Sequence, residues 1–389
     1  MQAIHETAEF ALKRILFVAS LHHPEQLQQE IAAAPHDPPL IPSSMSLHFY
    51  EKALRQRGVT LDIFWRNLPG YGPRDVSRLH AQRHSARLTP AKIVGALLRR
   101  IPPALHPDIR RRNALLLQQA RRFQPDLLWL IGDNTIILPQ TLAAIREATG
   151  CRILYASGTS PIVFSHSIER QAARLYDLAL VNDLYHGMQW LELGAKRMAC
   201  LPYVAIDPDF HQPPALSDEE KARYACDVTF VGTLMPQQLY SERVAALEAL
   251  RDYDLGIWSV HEVPPTLRPH LRGTALGAQM MRVLAGSTIS LNPHGDFMRY
   301  GGNMRLFEAA ALGAFQLCDD RPGIREWFRP DEHLVIYRSL DDLRAKVAYY
   351  LAHPEERAVL AAAAREHVLK HHTYTQRLDQ IEAMLAEIT

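Results

Sequence analysis

Short apolar runs alternate with amphipathic segments from one end of the chain to the other. The first run is 14–19, and a nearly uninterrupted one spans 126–131. A strand covered by helices on both faces of a parallel sheet reads as such a continuous apolar run. Strand–helix alternation along the whole chain therefore predicts an α/β fold built on doubly wound parallel sheets.

Eleven segments are predicted to be strands, six before a proline-rich stretch and five after it. In chain order they are 14–19, 59–65, 126–131, 151–156, 178–182, 197–201, 227–231, 254–258, 287–292, 314–318 and 333–337. Helices are predicted at 43–57, from Pro139 to Gly150, at 303–312 and over most of the chain from Ser339 onward, since glycine commonly ends a helix and proline opens one.

The proline-rich stretch predicts a boundary between two domains. It contains Pro202, Pro208, Pro213 and Pro214, and the strand–helix pattern restarts after it. We therefore expect a Rossmann-like domain at 1–207 and a second at 208–389, with the terminal helix returning to the first. In parallel sheets ligands bind outside the carboxyl ends of the strands, so two such domains would face each other across a ligand-binding cleft.

Composition excludes several classes of protein. The chain has 43 Lys plus Arg against 42 Asp plus Glu, a balance that argues against a nucleic-acid partner. Its four cysteines form no C-x-x-C pair, which argues against a disulfide scaffold or a structural zinc site, and no metal site is predicted. No apolar run approaches the ~20 residues of a membrane-spanning helix. We expect a cytoplasmic enzyme.

Basic residues are concentrated in one part of the first domain, within an insertion at about 66–122. From Arg74 to Arg122 there are twelve Lys or Arg and only Asp75 and Asp108 as acids. Such a segment can lie on an anionic membrane surface or bind an acidic partner, which would place the protein peripherally at the inner face of the membrane. The alternative is a helical excursion whose arginines are solvated or paired elsewhere in the fold.

The segment 290–320 contains the clearest candidate site. A strand is followed by a loop with Gly301 and Gly302, and then by a helix that begins at about Asn303. Glycines before a helix allow close approach of a ligand, and free N–H groups at a helix start suit a phosphate. Arg305 in the first turn would add a charge, and Glu308 would accept hydrogen bonds from sugar hydroxyls. The two side chains are also spaced to pair with each other.

Other candidates follow from positions after strands. Gly232 and Thr233 would face a diphosphate. Trp258 would cover a base, or alternatively fill the core. Arg272 would neutralise the leaving group, or alternatively be a solvated surface residue. In the first domain, Asp133 is the best candidate for a general base if configuration inverts, and His166 would contact an acceptor or sugar.

The first strand is followed by Ser20-Leu-His-His-Pro24 rather than G-x-G-x-x-G, which disfavours a dinucleotide enzyme.

The segment resembles the nucleotide-sugar-binding element of GT-B glycosyltransferases, most narrowly the CgeB-like group. The resemblance rests on these residues: Asn292, the core Asn303-x-Arg305-x-Phe307-Glu308-Ala309, Gly313-Ala-Phe-Gln-Leu317, His353-Pro-Glu-Glu-Arg357, His371-His-Thr-Tyr-Thr-Gln-Arg377 and Asp227-Val-Thr-Phe-Val-Gly232. It covers the second half of the chain convincingly and the first half more weakly.

The resemblance implies a hexosyltransferase-type enzyme that moves a sugar from a nucleotide-diphosphate sugar to an unidentified acceptor, with retention of configuration and without a bound metal or other cofactor. It implies that Glu308 holds the ribose. Relatives often carry a second Glu in a Glu-x7-Glu pattern, and this position is Tyr300 here. The expected donor site is completed by Asn292, His294 and Asn303.

Two alternatives stay open on the sequence. A nucleotide-sugar epimerase can have the same architecture, and a non-catalytic member would only bind a sugar or nucleotide. Tyr300 in place of a carboxylate keeps the second alternative open. The acceptor would be a polysaccharide, a lipid-linked sugar, a protein or a small molecule.

Overall fold

The computed structural model describes residues 12–68, 101–132, 134–158, 160–164, 166–202 and 205–388. The chain divides into two compact units. The first comprises 1–181, 186–199 and 380–389, and the second comprises 182–185 and 200–379. Each unit is built around one sheet of six strands.

The sheet of the first unit consists of β1 (Arg14–Ala19), β2 (Thr60–Trp65), β3 (Leu127–Ile131), β4 (Arg152–Ser157), β5 (Leu178–Val181) and β6 (Arg197–Cys200). Its order is β2-β1-β3-β4-β5-β6, so the strand order reverses between β1 and β3. The helices of this part of the chain are α1 (Pro24–Ala33), α2 (Leu47–Gln56), α3 (Pro107–Phe123), α4 (Pro139–Thr149), α5 (Ser167–Ala172) and α6 (Leu184–Glu192).

The sheet of the second unit consists of β7 (Val228–Val231), β8 (Leu255–Trp258), β9 (Leu271–Gly273), β10 (Ile289–Asn292), β11 (Gln316–Asp319) and β12 (Val335–Tyr337). Its order is β12-β11-β10-β7-β8-β9, with the reversal between β7 and β10. The helices are α7 (Asp218–Tyr224), α8 (Ser241–Glu248), α9 (Gly277–Gly286), α10 (Arg305–Ala311), α11 (Ile324–Trp327), α12 (Leu340–Ala352), α13 (Pro354–His371) and α14 (Tyr374–Ala386).

The predicted fold class is confirmed, because both sheets are parallel and flanked by helices. The physical cause is visible in β1, where Ile15 to Val18 are fully buried. Local signals also set the ends of helices. Gly150 ends α4 with φ +70°, a backbone conformation that side chains disfavour. Ser217 and Glu220 form the reciprocal capping box of α7.

Strand β9 and helix α1 are two of the elements that the sequence did not predict. Strand β9 has only three residues and is largely exposed, so it offers no apolar run to detect. Helix α1 buries a single residue, Leu27, so it has almost no apolar face. A third difference is in α2, which begins at Leu47 rather than at Ser43.

The basic segment is described only in part, because 69–100 lies outside the described residues. In α3, Arg112 is 1% exposed and its Nε pairs with Asp108 Oδ2 at 2.9 Å. Its Nη1 donates to the carbonyls of Arg66 and Leu68 at 2.8 and 3.0 Å. This arginine is therefore structural, whereas Arg110, Arg111, Arg121 and Arg122 are exposed. Within the described part of the chain, no helix is long and apolar enough to cross a bilayer.

Candidate functional site

The candidate site lies at the carboxyl ends of the central strands of the second sheet. Strands β7 and β10 are neighbours at the point where the strand order reverses. In a parallel sheet such a reversal of strand order is where a ligand-binding crevice is expected. Most of the residues that the sequence singled out in this half of the chain follow β7 or β10.

A reciprocal pair of amides ties the end of β10 to the start of α10. Asn292 Nδ2 donates to Asn303 Oδ1 at 3.1 Å, and Asn303 Nδ2 donates to Asn292 Oδ1 at 2.8 Å. Asn292 is 3% exposed, so the pair forms in a place where an unpaired amide would be costly. The two ends of the intervening loop are thus held together.

Arg305 and Glu308 pair with each other on α10. Arg305 Nη1 lies 2.5 Å from Glu308 Oε2, and the two side chains are 16% and 11% exposed. The same Nη1 contacts Met280 Sδ, and the buried Nε of Arg305 has no hydrogen-bond partner among the described residues. The pairing that the sequence left open is therefore present, and it leaves the guanidinium with unused donors.

A charged row of side chains, formed by Asp319, Arg321 and Glu242, begins beside His294 after the end of β10. His294 Nδ1 lies 2.6 Å from Asp319 Oδ1, and Arg321 Nη2 lies 2.7 Å from Asp319 Oδ2. Arg321 also pairs with Glu242 on α8 at 2.5 Å. Burial acts to raise the pKa of Asp319, but His294 and Arg321 hold it down at about 2. Asp319 is therefore ionised and fixed, and the sequence prediction missed it.

His294 is fully buried, and its orientation is set by Asp319. The backbone N–H of His294 donates to the same carboxylate oxygen at 3.0 Å. Because the carboxylate accepts, the ring donates through Nδ1–H. The opposite nitrogen, Nε2, has no partner among the described residues.

Two further residues near the site carried no sequence signal. Arg243 on α8 donates from Nε to the Pro293 carbonyl at 2.8 Å and from Nη1 to the Thr233 carbonyl at 3.0 Å. It thereby joins the loops after β7 and β10, and burial lowers its pKa. Burial also lowers the pKa of His211, although the nearby carboxylate of Glu308 opposes the shift.

A Cβ atom added to the glycines of the site would meet neighbouring atoms at short distances. A Cβ on Gly301 would stand 1.6 Å from the carbonyl oxygen of Asn182, and one on Gly302 would stand 2.4 Å from Leu306 Cδ1. A Cβ on Gly232 would meet the Phe230 ring at 2.8 Å. At Gly301 the close approach that the sequence assigned to a ligand is made by the protein's own backbone.

Trp258 and Arg272 are engaged within the protein. Trp258 is 3% exposed and packs in a hydrophobic cluster with Tyr224 and Met280, which is the core alternative. Arg272 donates to the Ala225 carbonyl at 2.7 Å and pairs with Asp254. Both side chains stabilise the β8–β9 side of the sheet.

The candidates of the first domain are placed differently. His166 belongs to the first unit, where it caps α5, and its Nδ1 accepts from the Ile168 N–H at 3.3 Å. Asp133 lies outside the described residues. Within the described part of the chain, no group of three His, Cys, Asp or Glu side chains is arranged to hold a metal ion.

A cavity of about 860 Å³ opens beside the charged row. Its walls come from the segments after β11 and β12 and from α8, and they include Glu242, Asp319, Asp320, Arg321, Arg325 and Arg338. Three carboxylates thus face three guanidinium groups. Asp320 itself pairs with Arg325 at 2.6 Å and with Arg338 at 3.2 Å.

Comparison with known proteins gives consistent matches. Residues 241–383 match the family described as glycosyl transferase-like. Spore protein CgeB of Bacillus subtilis is 35% identical over 290 residues, which are 70% of this chain and 85% of that protein.

Among solved structures, sucrose-phosphate synthase of Thermosynechococcus elongatus superposes with a TM-score of 0.60 at 12% identity and covers 96% of this chain and 98% of its own. HepE of Anabaena, in complex with UDP and glucose, has a TM-score of 0.57 at 14% identity and covers 97% of this chain and 100% of its own. At 12% and 14% identity, these structural matches show that the chain has the GT-B fold and show nothing further.

Proposed function

We propose, from the premise that this chain belongs to the CgeB-like family of GT-B glycosyltransferases, that it transfers a sugar from a nucleotide-diphosphate sugar to an acceptor. The observation that carries the proposal is the Arg305–Glu308 pair beside the carboxyl end of β10. Arg305 supplies a positive charge that can bind a diphosphate, and Glu308 supplies a carboxylate that can bind a ribose. The two residues lie within one turn of α10.

Each residue has a role in this proposal. Glu308 accepts hydrogen bonds from the ribose hydroxyls, and Arg305 exchanges its contact with Met280 for one to the diphosphate. The Asn292–Asn303 pair holds the loop before α10 in place. His294 is oriented by Asp319 and presents Nε2, the ring nitrogen that Asp319 does not bind, to a hydroxyl group of the sugar donor.

The reaction step that these residues assist is departure of the nucleoside diphosphate. The bond between the anomeric carbon and the phosphate oxygen breaks, and negative charge grows on the diphosphate. Fixed positive groups stabilise such charge more than water does, because they need no reorganisation. With Arg305 in this role, we propose transfer without a bound metal and expect turnover to persist in EDTA. Following the family resemblance, we propose retention of configuration.

The direct test is a panel of nucleotide sugars, with UDP-glucose first because HepE is described with that ligand. Binding would be measured by calorimetry, and donor breakdown by release of nucleoside diphosphate. Slow release without acceptor supports a transferase, whereas an epimerised donor would support the epimerase alternative. Binding without any turnover over a broad acceptor screen would support a binding module. No binding to any nucleotide or nucleotide sugar would overturn the proposal.

Replacing Glu308 by glutamine tests the ribose contact. An amide accepts fewer hydrogen bonds than a carboxylate and carries no charge, so we expect the donor KM to rise about 10- to 100-fold, or roughly 1.4–2.8 kcal/mol. Glu220→Gln on α7 is the matched control, because Glu220 also pairs with an arginine, Arg282, at 2.8 Å but lies outside the candidate site. An unchanged donor KM in Glu308→Gln would remove Glu308 from the site.

A further inference from the structure

One buried carboxylate of the second unit has no part in the roles above. Asp183 immediately precedes α6 and is fully buried. Its Oδ2 accepts from two consecutive backbone N–H groups, those of Tyr300 at 2.7 Å and Gly301 at 2.9 Å. Its Oδ1 accepts from the Tyr185 N–H at 2.9 Å. Both carboxylate oxygens are therefore used on backbone donors.

The contact between these two stretches is tight. A Cβ on Gly301 would stand 1.6 Å from the Asn182 carbonyl oxygen and 2.8 Å from the Asp183 Cα. Both neighbours are backbone atoms, which cannot swing away as a side chain can. Only glycine therefore lets the glycine loop, residues 300–302, lie against 182–183.

The loop is held on its other side as well. The Tyr300 carbonyl accepts from the Gly323 N–H at 2.8 Å, and the Tyr300 hydroxyl donates to Glu326. At the position where relatives often carry a carboxylate, Tyr300 thus serves to anchor the loop. Beyond Gly302 the chain continues to Asn303 and to α10 with Arg305 and Glu308, so the conformation of the loop sets where α10 begins.

We propose that Asp183 is a positioning residue for the donor site, a role that rests on the proposed function. By binding the Tyr300 and Gly301 N–H groups, Asp183 orders the glycine loop before any donor arrives. Because these two N–H groups donate to Asp183, they do not donate to the diphosphate. The diphosphate therefore binds to the positively charged Arg305 instead. A preordered loop lowers the entropy that binding must remove, which favours affinity.

The chemistry of the site distinguishes two substitutions. Asp183→Ala removes all three hydrogen bonds and leaves the part-buried Tyr300 N–H and the buried Gly301 N–H without this acceptor. Asp183→Asn keeps one oxygen, which can face Tyr300 and Gly301 while the amide nitrogen replaces Oδ1 near Tyr185, a half-exposed residue that water can reach. We therefore expect Asn to preserve the loop and Ala to release it. Gly301→Ala disrupts the same contact from the glycine loop, because its Cβ would overlap the Asn182 carbonyl oxygen.

The experiment compares these variants by UDP affinity in calorimetry, by steady-state donor kinetics and by hydrogen exchange of the 302–305 amides. We expect Asp183→Ala and Gly301→Ala to weaken UDP binding and to raise the donor KM about 10- to 100-fold, with kcat changed less than 3-fold. Asp183→Asn should stay within about 3-fold of the native protein in both constants. Exchange of the 302–305 amides should accelerate in Asp183→Ala and Gly301→Ala only.

Glu51→Ala is the matched control in the first unit. Glu51 is 2% exposed and also accepts from two consecutive backbone N–H groups, those of Leu40 and Ile41, at 2.8 and 2.9 Å. It should lower thermal stability without changing UDP affinity. A lowered melting temperature with native UDP affinity in Asp183→Ala would overturn the positioning role.

Hydrogen exchange separates failure of this inference from failure of the proposed function. If the native protein binds no nucleotide, the proposed function fails, and the exchange rates still show whether Asp183 orders the loop. Native exchange of the 302–305 amides in Asp183→Ala would then overturn the inference as well. If Asp183→Ala does not fold, Gly301→Ala takes its place in every comparison.

Discussion

Arg305→Gln lowers kcat by about 100- to 1000-fold, which is the cost commonly seen when one preorganised donor at a developing charge is removed. Glutamine keeps a hydrogen-bond donor and much of the side-chain length but carries no positive charge. The loss should fall mainly on kcat, because the charge on the diphosphate grows as the bond to the sugar breaks. The measurement is steady-state kinetics with the donor identified in the panel.

The control for this prediction is Arg282→Gln on α9. Arg282 pairs with Glu220 at 2.8 Å, outside the candidate site, and its side chain is 38% exposed. Both variants remove one arginine from an ion pair of the second unit, but only Arg305 adjoins the proposed ribose carboxylate. A kcat within about 3-fold of the native value in Arg305→Gln would show that the leaving group is stabilised by other groups.

Acid weakens the second unit through a buried cluster of histidines. His372 is 8% exposed, its ring lies 5.0 Å from Phe307, and its Nε2–H donates to the Trp327 carbonyl at 3.3 Å. Burial, and the positive charge of Arg377, lower its pKa to about 3. Burial also lowers the pKa of His333 and of His367, whose rings stack at 4.2 Å. These three rings are therefore neutral in the folded protein at neutral pH.

The direction of the pH dependence follows from these lowered pKa values. The unfolded chain takes up protons near pH 6.5, whereas folded His372 does so only near pH 3. Stability is thus fully present above pH 6.5 and falls as the pH drops from 6.5 toward 3. At pH 5, His372 alone should reduce the free energy of unfolding by about 2 kcal/mol.

His372→Phe provides the test, with urea denaturation measured between pH 7.5 and 5. Phenylalanine keeps the aromatic contacts with Phe307 and Phe328 but does not titrate. We expect the variant to be less stable at pH 7.5, because it loses the bond to Trp327, and to lose less stability on acidification. His371→Phe is the control, since His371 is exposed. A pH dependence in His372→Phe equal to that of the native protein would contradict the assignment.

Much of the fold was predictable because its signals are local. The apolar runs of β1, β3 and β4 are continuous because helices cover both faces of the sheet. The helix stop at Gly150 depends on one backbone angle. Strand β9 was not predictable, because an exposed three-residue edge strand owes its existence to pairing with β8.

The candidate site divides in the same way. Arg305 and Glu308 share one helix, so their spacing alone predicted that they meet. Asp319, Arg243 and Asp183 were missed, because each acts on a segment far away along the chain. Asp183 and Gly301 are 118 positions apart along the chain, and no pattern in either segment predicts their contact.

The amino-acid sequence by itself determined the α/β class, the glycine-containing loop before a helix, and the pair of charges on that helix. These properties depend on periodicity and on neighbours within about one helical turn. Only the tertiary structure decided that Trp258 is a core residue, that His294 is oriented by Asp319, and that Gly301 makes room for Asn182. Such contacts arise when distant segments pack together, and packing depends on the shape of the whole unit rather than on any local pattern.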